Sequence, residues 1–264
     1  MTPNETDWRP AARLRRRVGT LEPHATIGST NDRARAVLAD GGIDGCAVVA
    51  DEQTAGRGRR GRAWLSPPGL NLMVSVALRP NLAAADAWQL GLSAALAARA
   101  ACVAFVPSVG LKWPNDLVSA ADGLKVGGLL VETALDGARL ESAVIGIGIN
   151  VNWRRAHMPD EIAERATSLA EMAGRDVDRV ALLGRLLDQL DDELVLVESG
   201  ASPLERYRGA CVTIGARVSV ETPDGTVFGV AVGLDVIGAL LVDTDAGRVS
   251  LATGEVVRVH GGAR

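Results

Sequence analysis

The chain has 264 residues, with 28 lysines and arginines against 32 aspartates and glutamates, a formal charge of −4 and 47% hydrophobic residues. That size suits one large domain, or one domain with a small satellite, and the apolar content excludes wholesale disorder. The mild acidity argues against a general nucleic-acid binder, which needs basic excess. Three scattered cysteines, Cys46, Cys102 and Cys211, show no metal-ligand spacing and fit a reducing cytosol. No apolar run is long enough to span a membrane, the best stretch (94–109) being interrupted by Arg99. No apolar segment follows the positively charged N-terminus, which argues against a secretory signal. Of the 28 cations, only Lys112 and Lys125 are lysines.

Residues 1–24 read as a short, partly ordered, Arg-rich leader, too short for a helix-turn-helix domain. GSTNDRARAVLADGG then predicts a helix, with Ser29 or Thr30 as N-cap and Gly41-Gly42 as the stop. CAVVAD (46–51) predicts a buried strand. Residues 52–70, rich in Gly, Arg and Pro, predict a long functional loop with nothing apolar to anchor it. NLMVSVALR (71–79) alternates like a strand, and 84–104 has helical spacing. VGLKW, PNDLVS, KVGGLLVETAL and LESAVIGIGINVN predict successive strands. After Asn152 the pattern turns helical, most clearly over 178–198, with Pro203 as the break. From about 212, five β-rich runs at roughly ten-residue spacing, with turns such as Pro223-Asp224-Gly225, predict a small barrel or sandwich. The catalytic unit would then span 25–210 and the β unit 211–264.

Gly56-Arg57-Gly58-Arg59-Arg60-Gly61-Arg62 packs three glycines and four arginines into seven residues. Glycines let backbone N–H groups approach an anion, and guanidinium forks match phosphate or carboxylate. The competing reading is a solvated basic loop or nucleic-acid patch. Trp64 could stack a base or fill the core. Both lysines fall in strand-like motifs, KWPNDL (112–117) and KVGGLLVE (125–132). Gly127-Gly128 would let a ligand lie against the second. In an arginine-rich chain, a retained lysine points to a place that needs a compact charge. The isolated His24, His157 and His260 give no ligand cluster. Cys46 and Cys102 read as core residues. Asp188, Asp191, Asp192 and Glu193 read as a solvated helix face.

Ser29-Thr30-Asn31, the QTAGRGRRGR run (53–62), KWPNDL, KVGGLLVE and GIGINVN (146–152) occur in that order, and together they resemble the biotin protein ligases over about residues 24–264. Lipoate ligases share the fold class but match the arginine loop poorly. A lipoate-type acyl-adenylate ligase is the alternative. The resemblance implies an α/β (α+β) catalytic domain with a mixed sheet and a small C-terminal SH3-like β-barrel. It implies two steps: biotin and ATP give biotinyl-5′-AMP, and the acyl group then passes to a lysine of a biotin carboxyl carrier domain of an acyl-CoA carboxylase. Bifunctional members carry an N-terminal DNA-binding domain that 24 residues cannot hold, so the chain resembles the monofunctional class, with no DNA and no membrane partner and a cytoplasmic location.

By the same resemblance, the catalytic residues would be Lys125, Arg59 and Asp116, with Asp116 orienting or deprotonating the incoming lysine. Biotin would lie near Ser29, Thr30, Asn31, Gln53, Arg57, Gly58, Arg59 and Lys125. The nucleotide would meet Arg59, Arg62, Trp64, Asn115, Lys125 and Asn150. Mg²⁺ would act through the phosphates, with ligands the sequence does not identify.

Overall fold

The computed structural model describes residues 6–260. The first five positions of the Arg-rich leader, the last four of the C-terminal unit and the side chains of 258–260, His260 included, lie outside the described residues. In chain order the elements are β1 (Thr20–Ile27), α1 (Thr30–Ala39), β2 (Cys46–Gln53), β3 (Leu72–Leu78), α2 (Trp88–Val103), β4 (Val109–Lys112), β5 (Asp116–Ser119), β6 (Lys125–Asp136) and β7 (Arg139–Ile149). Then follow α3 (Asp160–Ala163), α4 (Leu169–Ala173), α5 (Arg179–Glu198), α6 (Leu204–Ala210), β8 (Arg217–Thr222), β9 (Gly225–Leu234), β10 (Leu240–Thr244), β11 (Gly247–Leu251) and β12 (Glu255–His260). Two sheets result. One has seven strands in the order β1-β2-β3-β7-β6-β5-β4, and the other has five in the order β11-β10-β9-β8-β12. In the large sheet only β1 and β2 run parallel, so it is mixed, as expected. The small sheet is antiparallel throughout and forms the SH3-like C-terminal unit.

Strand alternation assigns the two faces of the large sheet. Ala47 and Val49 of β2, Val74, Val76 and Leu78 of β3, and Ile145, Ile147 and Ile149 of β7 point into the main core with α2 and α5. Cys46, Val48, Ala77 and Val144 point the other way, against Ala34 and Val37 of α1. Helix α1 is only ten residues long, so it covers one end of that second face. Beyond its reach the same face carries Ser75, Gly146, Gly148 and Gly128, which are paired across neighbouring strands. Small side chains there leave room above the sheet.

The leader and the acidic helix face require a correction. Of Asp188, Asp191, Asp192 and Glu193, read as a solvated face, only Asp192 is exposed, and all four are paired with arginines. Asp188 takes Arg13 and Arg15, Asp192 takes Arg16, and Glu193 pairs with Arg206. Asp191 is buried and accepts the backbone N–H groups of Arg17 and Val18. Trp8, Ala11 and Val18 enter the main core. A charge run read alone looks solvated, but here the counter-charges of its three aspartates arrive from about 175 residues upstream. Burial opposes ionisation of Asp191, yet the hydrogen bonds from Arg17, Val18 and Arg16 outweigh it and hold the carboxyl below its ordinary range.

A group with a depressed folded pKa stabilises above its unfolded pKa and loses that contribution as pH falls through the folded value. Replacing Asp191 by Ala leaves two backbone donors unpaired and should cost about 2 kcal/mol at pH 7. The gap to the unaltered protein should close as pH falls below about 4. Urea unfolding at the two pH values checks both. A gap independent of pH would show that packing, not the carboxylate, holds the leader.

Candidate active site

Above the glycine floor lies a cleft of about 670 Å³. Its walls are the start of α1, the arginine loop, the β4–β5 turn, the 153–166 segment and the Glu255–Val257 edge of the small sheet. One end is polar and uncharged. Thr30 donates through both its N–H and its hydroxyl to Gln53 Oε1, at 2.7 and 2.9 Å. The Ser75 hydroxyl lies 2.7 Å from Thr30 Oγ1 and 2.6 Å from Asn31 Oδ1. Asn31 in turn donates to Glu132 at 2.7 Å. Ser29 occupies the N-cap position of α1, yet its side chain makes no capping bond. That leaves the buried hydroxyl for other partners. The asparagine side chain needs Gly146 beneath it, because a Cβ there would sit 2.1 Å from Asn31 Oδ1.

The other end is cationic. Lys125 Nζ contacts Asp116 Oδ1 at 2.6 Å and lies 5.6 Å from the centre of the Trp64 ring. A register shift between Leu117 and Val118 aligns Lys125 with Val118 while Gly128 faces Asp116. The indole of Trp64 rests on Gly148, where a Cβ would come within 2.7 Å of the ring. Its N–H is buried without an acceptor.

The arginine loop is anchored electrostatically rather than by apolar contacts, which sequence reading did not foresee. Arg57 grips Asp32 of α1 through both terminal nitrogens, and this pairing holds its guanidinium above the usual range. Arg62 grips Glu255 of β12 in the same two-armed way. Arg60 adopts a left-handed backbone, φ 57°, and donates to the Glu221 carbonyl at 3.3 Å. Between these anchors Arg59 has no carboxylate partner among the described residues. Its Nη1 donates to Asn115 Oδ1 at 3.0 Å. Burial, reinforced by Arg60, pulls its pKa down. A half-buried guanidinium with no carboxylate in direct contact is poised for an anionic ligand.

Thus Ser29, Thr30, Asn31, Gln53, Arg57, Gly58, Arg59, Arg62, Trp64, Asn115, Asp116, Lys125 and Asn150 all line one cleft. Within it, Asn150 has both ends of its amide engaged. Nδ2 donates to the Thr167 carbonyl at 3.1 Å, and Oδ1 accepts from Asn71 at 3.5 Å. Sequence reading missed Ser75, Asp32, Glu132 and Glu255. Ser75 left a signal, as the one polar residue in the buried strand LMVSVAL. Glu255 left none, since its partner lies 193 positions away.

Gly146→Ala should destabilise the protein by about 1–3 kcal/mol through overpacking against Asn31. In an Asn31→Ala background the same change should cost clearly less, because the obstructing amide is gone. Thermal unfolding of the two single variants and the double variant measures this. Strict additivity would show that Asn31 is not the obstacle.

Residues 29–150 match the Biotin/lipoate A/B protein ligase family, and residues 213–259 match the Biotin protein ligase C terminal domain. The chain is 36% identical over 248 residues to the biotin–[acetyl-CoA-carboxylase] ligase of Mycobacterium tuberculosis, covering 91% of this chain and 89% of that one. It is 35% identical over 231 residues to the bifunctional ligase/repressor BirA of Bacillus subtilis, covering 85% and 69%. The biotin protein ligase from Aquifex aeolicus in complex with biotin and ATP superposes with a TM-score of 0.75 at 33% identity, covering 89% of this chain and 97% of that one. With its motifs, its two sheets and a relative matched over nearly its whole length, the chain belongs to the biotin protein ligase family.

Proposed function

We propose that the protein activates biotin with ATP to biotinyl-5′-AMP and transfers the biotinyl group to a lysine of a biotin carboxyl carrier domain of an acyl-CoA carboxylase. The observation that carries this reading is the polarity of the cleft. An uncharged hydrogen-bonding end at Thr30, Gln53 and Ser75 lies opposite a cationic end at Arg59 and Lys125, above one glycine floor. A neutral ureido ring suits the first end, and a carboxylate meeting a phosphate suits the second. The polarity alone would also accept a lipoyl adenylate. The named biotin ligases among the relatives favour biotin.

In this reading Ser29, Thr30, Asn31 and Gln53 hold the ring, with the backbone of Arg57–Gly58 closing over it. Arg59 and Lys125 draw the biotin carboxylate and the α-phosphate together, offsetting the repulsion of two anions. The carboxylate oxygen bonds to the α-phosphorus as pyrophosphate leaves. Trp64 offers its ring to the adenine. Arg62 and Asn115 flank the phosphates, and Asn150 holds the end of the floor. Asp116 then receives the carrier lysine.

The chemistry implies Mg²⁺ as well. Among the described residues no group of three or more His, Cys, Asp or Glu could cage a metal ion. Of the cleft carboxylates Asp116, Glu161 and Glu255, the first and last are already paired with cations, which leaves a single carboxylate for a metal. The donor set therefore does not fit a resident metal, and Mg²⁺ is better placed as part of the nucleotide substrate. Three unpaired cysteines and dependence on ATP fit a cytoplasmic setting. Among the described residues no helix is long and apolar enough to cross a membrane.

Incubation with biotin, Mg-ATP and a carrier domain should add one biotinyl group to the carrier, read by mass. Lipoate in place of biotin should add nothing. Lys125→Ala and Lys125→Arg should both lower pyrophosphate release by about 100-fold or more while the protein stays folded. The arginine variant is expected to fail because Lys125 Nζ lies only 3.1 Å from where a Cβ on Gly128 would be, and a guanidinium is wider. An unmodified carrier would overturn the proposed function. Normal pyrophosphate release by Lys125→Arg would overturn the role of Lys125.

A further inference from the structure

The chain keeps two lysines among its 28 cations, and both converge on one carboxylate. In the β4–β5 hairpin Lys112 is the register partner of Asp116, so the two side chains stand directly across from each other. Lys125 arrives from β6 and contacts Asp116 Oδ1 at 2.6 Å. Lys112 Nζ stays 3.8 Å from Oδ2. The first oxygen is in contact with Lys125, and the second has Lys112 nearby but beyond hydrogen-bond distance. Both lysines line the cleft.

We propose that Lys112 is a positioning residue for the transfer step: it holds Asp116 with Oδ2 presented to the incoming carrier lysine, and its charge keeps that lysine's amine in the neutral, attacking form. This rests on the function proposed above and adds a role for a residue that function left unused. An ammonium next to a carboxylate becomes harder to deprotonate, and each further cation beside that carboxylate, here Lys112 in addition to Lys125, weakens the effect. The neutral amine attacks the acyl carbon of biotinyl-5′-AMP and a C–N bond forms. The bond from the acyl carbon to the phosphate oxygen breaks, and AMP leaves with the bonding electrons. The proton shed by nitrogen passes to Asp116 and then to water.

The surroundings favour this arrangement. Lys125 from β6 and Arg62 from the arginine loop act on Lys112, and Arg59 faces Asp116. Glu255 of β12 is occupied by Arg62. Tyr207 of α6 faces Asp116 with its hydroxyl kept neutral by full burial. Cys211, bridged to Leu111, is also held neutral by burial. Burial pulls the pKa of Lys112 down, and Lys125 and Arg62 add to the effect while Asp116 opposes it. The Lys112 stem is sunk in the wall with a fifth of the side chain exposed, so its ammonium has little freedom to leave.

The test isolates the second half-reaction by supplying preformed biotinyl-5′-AMP and a carrier domain to the full chain, and it follows kcat and carrier KM across pH. In Lys112→Met, which keeps the apolar stem, the apparent pKa of kcat should rise by about one unit. That is about a tenfold loss at pH 7 that fades at alkaline pH. Carrier KM should stay level or fall, because Asp116 now binds the ammonium more tightly. Lys112→Arg should follow the unaltered protein in pH profile, and Lys112→Gln serves if the methionine variant fails to fold. A raised KM with an unshifted profile would overturn the proposal, as would a profile that Lys112→Arg fails to restore. If the unaltered protein leaves the carrier unmodified, the proposed function itself has failed, which is a different result.

Discussion

The structure depends on a vacancy built into a sheet. One face of the large sheet is covered by α1 for as far as that helix reaches, and beyond it three glycines, Gly128, Gly146 and Gly148, take the places where side chains would stand. Each is filled from above by a group that lines the cleft. Asn31 sits on Gly146, Trp64 on Gly148, and the end of the Lys125 side chain beside Gly128. A methyl group at the first two positions would collide with those side chains. The floor therefore fixes the height of the polar end, the aromatic ring and the cationic end together.

Charge then decides what the vacancy can hold. Most of its arginines and acids neutralise one another in pairs that also tie elements together: Arg57 with Asp32 of α1, and Arg62 with Glu255 of the small sheet. These pairs are partly exposed, so each contributes little to stability, about 0–1 kcal/mol. Their consequence is positional. They hold both ends of a loop that has no apolar anchor, and they leave Arg59 between them without a carboxylate. The same economy appears at the N-terminal segment, where four arginines are matched by acids of α5, Glu198 among them, and by Asp44. In this chain arginine serves mainly as a two-armed connector, and both lysines are placed on a single cleft carboxylate, Asp116.

Much of this was legible in the sequence, for reasons that particular residues make clear. The short apolar run CAVVAD and the alternation in NLMVSVALR marked the central strands, and Pro203 with the turn-separated runs after 212 marked the second unit. The arginine loop and the two lysine motifs pointed to the cleft because unusual composition at short range reports chemistry. Long-range pairing was not legible. Asp191 looks like an exposed helix residue until Arg17 and Val18 are placed on it, and Glu255 is one acid among 32 until Arg62 reaches it. The free hydroxyl of Ser29 was likewise hidden, since at an N-cap position a serine is ordinarily expected to cap.

In the proposed function one cleft binds a neutral ring at its Thr30–Gln53–Ser75 end and an acyl phosphate at its Arg59–Lys125 end. A crystal structure of the protein with a non-hydrolysable analogue of biotinyl-5′-AMP should show the ureido group hydrogen-bonded among Thr30, Gln53 and Ser75, and the phosphate oxygens within about 3 Å of Arg59 and Lys125 nitrogens. An analogue bound in the reverse sense, or with its phosphate held by Arg57 or Arg62 while Arg59 stays on Asn115, would contradict that reading.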